Sequence, residues 1–100
     1  MKVVYSPLAA RELVTESQRY EKKAEGLGDL FIDDVEIATK QILAFPESGP
    51  RFGDRFRRVI LMRFSFTIVY STSSETLRII AIMHQHRGPE HIAKRLSRET

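Results

Sequence analysis

Two stretches in the first half of the chain carry apolar or small residues at spacings of three and four, the period of an amphipathic helix. The first stretch follows Ser6 and Pro7, which suit the N-cap and the first position of a helix, and it ends near Gly26. The second stretch begins almost at once and stops at Pro46. Two helices joined by so short a link are expected to lie antiparallel. The periodic positions are Ala9, Leu13, Ser17, Tyr20 and Ala24 in the first stretch and Leu27, Phe31, Val35, Ala38, Ile42 and Phe45 in the second.

A different pattern, dense in β-branched and aromatic residues, predicts strands at the start of the chain and through its second half. Residues 2–5 form a short β-prone run, and residues 46–55, PESGPRFGDR, are rich in Pro and Gly and typical of a loop. Three runs follow, FRRVILMRF, FTIVYS and TLRIIAIMH, with polar breaks at Ser65 and at residues 71–74. This spacing predicts an antiparallel meander.

The last of these runs is apolar on both faces, which predicts a central strand and not an edge strand. Strict alternation places Ile80 and Ile82 on one face of this strand. It places Leu77, Ile79, Ala81 and Met83 on the other face.

Gly88 and Pro89 interrupt the chain after the last strand, and residues 90–98 are predicted to form a short helix that packs Ile92 and Leu96 against the sheet. The element order is therefore β, α, α, β, β, β, α. Residues 1–100 are predicted to form a single α+β domain, with an N-terminal strand, an antiparallel two-helix hairpin packed on a mainly antiparallel sheet, and a short C-terminal helix.

Composition removes several kinds of chemistry. Hydrophobic content of 42% and charged content of 29% are those of a globular protein. Without cysteine there is no disulfide, no thiol nucleophile and no thiolate zinc site. No apolar run approaches the roughly 20 residues that span a bilayer, and MKVVYSP lacks the features of a signal peptide, so a cytoplasmic protein without membrane contact is expected.

Charge is unevenly distributed along the chain. Residues 1–50 contain 6 Lys or Arg and 9 Asp or Glu, a balance of −3, whereas residues 51–100 contain 10 and 4, a balance of +6. A basic half of this kind favours an acidic partner, whether nucleic acid, an acidic protein segment or a ribosomal surface. For any single arginine, however, pairing with Asp33, Asp34 or Glu36 of the second helix is the simpler expectation.

All three histidines of the protein fall within MHQHRGPEHIAKRL, residues 83–96. A metal site is disfavoured there, because Glu90 is the only adjacent carboxylate and several cations would repel a dication. We expect no metal and no other cofactor. Histidine titrates near neutrality, so catalytic bases and contacts to a partner both remain open.

Several features taken together resemble the ParE/RelE superfamily of bacterial toxin–antitoxin systems, whose members are often called plasmid stabilisation proteins. They are the element order, the segment FPESGPRFGDRFRRVILMRFSFTIVYS with its turn at residues 46–50, and the ending RIIAIMHQHRGPEHIAKRL. The similarity covers nearly the whole chain. It implies a small basic toxin that is neutralised by a cognate antitoxin, as a homodimer or as a heterotetramer with that antitoxin.

The two branches of the superfamily differ in target. The ParE branch traps DNA gyrase while DNA is cleaved, whereas the RelE branch is an endonuclease that cuts mRNA on the ribosome. The RelE pattern carries an arginine where this chain has Thr67, and a tyrosine about where it has His91. The sequence therefore favours a ParE-like inhibitor of DNA gyrase that is not itself an enzyme. The alternatives are a ribosome-dependent mRNA endoribonuclease and a non-toxic member that binds only its partner.

Each interpretation names its own residues. Under the gyrase interpretation, the histidine-rich ending is a cationic recognition edge, and the predicted target-binding residues are Arg58, Arg63, Arg87, Lys94, Arg95 and Arg98. Under the nuclease interpretation, the candidate catalytic residues are His84, His86 and His91. Of Phe52, Phe56, Phe64 and Phe66, Phe52 is the one most expected to be exposed, because it lies in the Pro/Gly loop.

Overall fold

The computed structural model describes residues 1–85 and 89–99, and it has the predicted α+β architecture. One five-stranded sheet carries a helical hairpin on one face and a short helix on the other. The elements are β1 (Lys2–Tyr5), α1 (Pro7–Lys23), α2 (Leu27–Ala44), β2 (Arg51–Phe52), β3 (Phe56–Ile60), β4 (Phe66–Thr72), β5 (Thr76–His84) and α3 (Pro89–Glu99).

Ser6 fixes the start of α1 against the sheet. Its Oγ accepts a hydrogen bond from the Ala9 N–H at 3.1 Å, which caps the helix, and donates to the Ile80 carbonyl oxygen at 3.1 Å. The N-cap predicted from sequence is thus confirmed, and the same hydroxyl ties α1 to β5.

Glu21 of α1 caps the start of α2, whose own N-cap residue, Gly26, has no side chain to do so. The two Glu21 carboxylate oxygens accept hydrogen bonds from the N–H groups of Gly26 at 2.9 Å and Gly28 at 3.0 Å. A Cβ atom at Gly28 would lie 2.5 Å from the carbonyl oxygen of Ser17. Glycine is therefore required there for the close packing of the antiparallel hairpin.

The strand order in the sheet is β1-β5-β4-β3-β2. The predicted antiparallel meander is confirmed for β3, β4 and β5, and β5 is central as expected. β1 pairs parallel with β5 from Lys2–Thr76 to Tyr5–Ile79, a pairing that the sequence did not predict. β3 is shorter than the predicted run, because it ends at Ile60 and residues 61–65 form the connection to β4.

An irregularity in the pairing of β4 and β5 corrects the predicted faces of β5. Val69 pairs with Ala81 whereas its neighbour Tyr70 pairs with Ile79, so Ile80 is an extra residue in the ladder. The alternation along β5 therefore reverses at this point. Leu77, Ile79 and Ile82 face the helical hairpin, and Ile80, Ala81 and Met83 face the opposite side. The prediction from strict alternation was wrong because it assumed an unbroken strand.

The main core lies between the hairpin and the sheet. Four aromatic rings form its centre, with ring centroids 4.7 Å apart for Tyr20 and Phe64 and 5.1 Å apart for Phe31 and Phe66. A second and smaller apolar cluster lies on the opposite face of the sheet, here called the open face. That cluster consists of Phe56, Val69, Ile80, Ala81 and Met83, with Phe52 of β2 and Leu96 of α3 packed against it.

Candidate functional site

Arg58 is presented on the open face by β3. It lies directly across the sheet from Val69 of the smaller cluster, and its side chain is exposed. Its guanidinium carbon is 5.8 Å from the centroid of the Phe52 ring, a distance compatible with a cation–π contact. Phe52 itself is half-buried, as is Phe64, whereas Phe56 and Phe66 are buried. Phe45 is 68% exposed.

Arg63 lies in the connection between β3 and β4, and its side chain is exposed. The expected pairing of an arginine with Asp34 takes a different form. The Asp34 carboxylate is buried, and its Oδ2 accepts hydrogen bonds from the backbone N–H groups of Arg63 at 2.9 Å and Phe64 at 3.2 Å. Asp34 therefore orders the turn through backbone bonds, which leaves the charge of the Arg63 guanidinium at the surface.

α3 carries two predicted target-binding residues whose environments differ. Lys94 is exposed. The Arg95 side chain is only 10% exposed. It forms a bidentate ion pair with Glu12 of α1, in which both hydrogen bonds are 2.8 Å long. Arg95 also donates to the Ile80 carbonyl oxygen at 3.0 Å. These contacts give Arg95 a role in holding α3 against β5, which the sequence did not indicate. Arg87 and the side chain of Arg98 lie outside the described part of the chain.

The described part of the chain contains two of the three candidate catalytic histidines, His84 and His91. His84 ends β5 and packs its ring against Phe66 at 5.2 Å, on the side of the hairpin. It lines a groove of about 440 Å³ between α1 and the end of β5. His91 is an exposed residue of α3, and His86 lies outside the described residues. Within residues 1–85 and 89–99, no group of three His, Asp or Glu side chains could hold a metal ion.

A second charged surface was not singled out in the sequence. A groove of about 550 Å³ lies where β2, β3, β4 and β5 meet, and we call it the basic groove. Its polar lining is dominated by Arg51, Arg55, Arg57, Arg78, Ser71 and Thr72. These residues come from four strands and a turn, so their proximity depends on strand order, which the spacing of residues in the sequence does not specify.

The floor of the basic groove is held by Tyr70 and the loop before β2. The Tyr70 hydroxyl donates to the Pro46 carbonyl oxygen at 3.1 Å, and a Cβ atom at Gly49 would lie 2.6 Å from that hydroxyl. Only glycine lets the loop approach so closely. Burial raises the pKa of Tyr70 above its usual 10.0, while a backbone hydrogen bond at Gly49 and the charge of Arg57 act in the opposite direction. Tyr70 therefore remains a neutral hydrogen-bond donor at neutral pH.

Comparison with known proteins decides the family. A family model described as "ParE toxin of type II toxin-antitoxin system, parDE" matches residues 3–89. The chain belongs to the ParE toxin family. The resemblance to ParE/RelE toxins identified in the sequence is thereby confirmed, and a family of this kind implies an antitoxin partner.

Structural comparison supports the same fold for this ParE family member. A solved structure described as "Chromosomal ParDE TA system from P. aeruginosa" matches with a TM-score of 0.60 and 16% sequence identity, covering 84% of this chain and 95% of that chain. At this identity the match shows the fold alone. No curated protein matches the sequence. Among the described residues, no helix combines the length and apolar character needed to cross a membrane.

Proposed function

We propose that this ParE family toxin inhibits DNA gyrase and is neutralised by a cognate antitoxin that covers its exposed apolar surface. The observation that carries the gyrase proposal concerns Thr67, where the nuclease branch has an arginine. Thr67 is buried on β4, paired with Ile60 and Met83 of the neighbouring strands. A short neutral side chain in this place cannot stabilise the negative charge that develops on phosphate during RNA cleavage.

The placement of the histidines supports the same choice. RNA cleavage needs a base, a cation and an acid within reach of one phosphate. His84 is directed to the hairpin side of the sheet, whereas Arg58 lies on the open face. Two of the groups that a nuclease site would combine are therefore separated by the sheet. A binding protein, whose cations attract a target without proton transfer, requires no such assembly.

Neutralisation by an antitoxin is supported by an uncovered edge of the sheet. β2 pairs only with Arg57 and Phe56, so β3 has no neighbouring strand beyond these two residues in the described part of the chain. Next to this edge, Ile60 is 56% exposed and Met62 is 79% exposed. An open edge with exposed apolar side chains favours the addition of a strand or an amphipathic segment from a partner.

Purified components separate gyrase inhibition from RNA cleavage. We expect the toxin to block DNA supercoiling by gyrase and to accumulate cleaved DNA, while mRNA on programmed ribosomes stays intact. Cleavage of ribosomal mRNA that is lost in His91→Ala, with gyrase unaffected, would overturn the proposal in favour of the nuclease. A toxin without effect in either assay, at confirmed folding, would instead identify a member that binds only its partner.

The antitoxin proposal is tested in cells. Expression of the toxin alone is expected to arrest growth, and co-expression of the antitoxin encoded beside it is expected to restore growth. The double variant Ile60→Ser/Met62→Ser should remain toxic but resist neutralisation, because it removes apolar area from the open edge. The matched variant Leu30→Ser/Ile37→Ser changes two exposed residues of α2 and should still be neutralised. Equal neutralisation of both variants would place the antitoxin elsewhere.

A further inference from the structure

The basic groove concentrates positive charge, because its lining holds more arginines than carboxylates. Four arginines line it, against the two carboxylates Glu47 and Asp54. Between described residues, no ion pair engages Arg51, Arg55 or Arg57. The groove therefore keeps an excess of positive charge over a surface that adjoins buried Phe56 and Ile80. Such an arrangement raises the local concentration of anions.

Two of the arginines are held in place by backbone carbonyl groups. Arg57 donates to the Gly49 carbonyl oxygen at 2.8 Å, and Arg51 donates to the Asp54 carbonyl oxygen at 3.2 Å. A guanidinium group has five N–H donors, so each of these bonds leaves most donors available for a ligand. Arg55 lies 5.8 Å from the centroid of the Phe56 ring. Because these contacts restrict the side chains before binding, less conformational entropy is lost when a ligand arrives.

The donors in the groove distinguish between two classes of acidic partner. The central parts of protein–protein interfaces are enriched in aromatic residues, Met and Arg but depleted in Lys, Glu, Asp and Ser. Protein–nucleic acid interfaces are strongly positive, and most of their hydrogen bonds join Arg, Lys, Ser and Thr to phosphate and sugar oxygens. The basic groove combines four arginines with the hydroxyl groups of Ser71 and Thr72, and it contains no lysine. Arginine suits phosphate because its planar donors match two phosphate oxygens at once.

We propose that the basic groove binds the phosphate backbone of a nucleic acid. The groove uses residues outside the set predicted to contact the target, which includes Arg58 and Lys94. The inference goes beyond inhibition of gyrase and does not depend on it. If the target complex contains DNA, the groove supplies a contact to that DNA in addition to the contacts made with protein.

The test uses three fluorescent probes: a 20-base-pair DNA duplex of random sequence, a matched RNA duplex and an oligoglutamate peptide. The duplexes are about two helical turns long. Binding of each probe to the full chain is measured at several salt concentrations. Each arginine that contacts phosphate adds close to one unit to the slope of log affinity against log salt concentration. The variant Arg51→Gln/Arg55→Gln should reduce that slope by roughly 2 and weaken duplex binding about tenfold or more. Comparison of the affinities for the DNA duplex and the RNA duplex shows which nucleic acid is preferred.

Two matched variants make the result specific to the groove. Lys22→Gln/Lys40→Gln removes the same charge from the exposed surface of the hairpin and should leave the slope unchanged. Arg51→Lys/Arg55→Lys keeps the charge and should retain the slope. An unchanged slope in the Arg51→Gln/Arg55→Gln variant, an equal loss in the lysine variant, or tighter binding of oligoglutamate than of either duplex would overturn the proposal. Because gyrase is absent, these outcomes are independent of the supercoiling assay.

Discussion

The two faces of the sheet are built from different kinds of residue. On the hairpin side, aromatic and aliphatic side chains pack between the two helices and the sheet, and Phe31 at the centre has no exposed surface. On the open face, a smaller apolar cluster is joined by Leu96 of α3 and is bordered by exposed arginines such as Arg58 and Arg78. Both faces belong to the same sheet, so the difference arises from which side chains the strands direct to each face.

This contrast indicates how the domain separates stability from recognition. Burial of apolar area supplies most of the free energy that keeps the fold together. Exposed arginine side chains supply little of it, because water and salt weaken their interactions. The hairpin side can therefore account for the stability of the domain, which leaves the charged residues of the open face available for partners. Substitutions on the two faces are expected to have different consequences.

The largest expected effect is on stability and comes from the centre of the hairpin side. Phe31→Ala removes a buried ring that contacts Tyr20, Phe64 and Phe66, and it should lower the free energy of unfolding by about 3–5 kcal/mol. Phe56→Ala, in the smaller cluster of the open face, should cost less. Urea denaturation measures both, and Phe31→Leu provides a milder variant if Phe31→Ala does not fold. Equal losses for Phe31 and Phe56 would remove the distinction between the faces.

A smaller effect is expected where the two faces are joined. Glu12 of α1 accepts the Ile82 N–H at 3.0 Å and pairs with Arg95 of α3. Glu12→Ala leaves a mostly buried cation and a backbone N–H without these partners, and it should cost about 2–3 kcal/mol in urea denaturation. The control is Arg19→Ala, which removes an arginine that is 64% exposed from its pair with Glu16 and should cost less than Glu12→Ala. Similar costs would contradict a joining role for Glu12.

The smallest effect concerns pH. Burial is the largest cause that raises the pKa of Tyr5, Tyr20 and Tyr70 above 10.0. Because the folded state favours the neutral phenols, their contribution to stability is complete below pH 10 and is lost as the pH rises through the folded pKa values. Tyrosinate absorbance during a pH titration should therefore rise at higher pH in the folded protein than in urea. If the two titration curves coincided, burial in the folded protein would not raise the pKa of the tyrosine hydroxyl groups.

Local patterns in the sequence were sufficient for much of the fold. The periodicity around Phe31 and the cap at Ser6 predicted the hairpin, and β-branched runs predicted the three-stranded meander. The reversal of faces along β5 was not predictable, because it depends on the extra residue Ile80 in the pairing with β4. The parallel pairing of β1 was also missed, since it joins residues more than 70 positions apart.

The candidate site was less accessible to sequence reasoning. Exposed cations such as Arg58 could be predicted as target-binding residues, because Lys and Arg cluster in the second half of the chain. The pairing of Arg95 with Glu12 could not, because the two residues are separated by 83 positions and meet only when α3 packs against β5. The same holds for the basic groove, where Arg51 and Arg78 belong to different strands. The sequence did contain one signal for the groove, the Pro/Gly-rich turn around Gly49. In the structure this turn lies close to Tyr70, and the Gly49 carbonyl oxygen accepts a hydrogen bond from Arg57.

Inhibition of purified gyrase tests the central claim most directly. The supercoiling assay compares two triple variants of the toxin that lose the same charge. The variant Arg58→Gln/Arg63→Gln/Lys94→Gln removes the exposed cations predicted to bind the target, and Lys22→Gln/Lys23→Gln/Lys40→Gln removes three exposed cations of the hairpin. We predict that inhibition is weakened in the first variant in a salt-sensitive manner and retained in the second. Equal inhibition by both variants, with both folded, would contradict the assignment of target recognition to these residues.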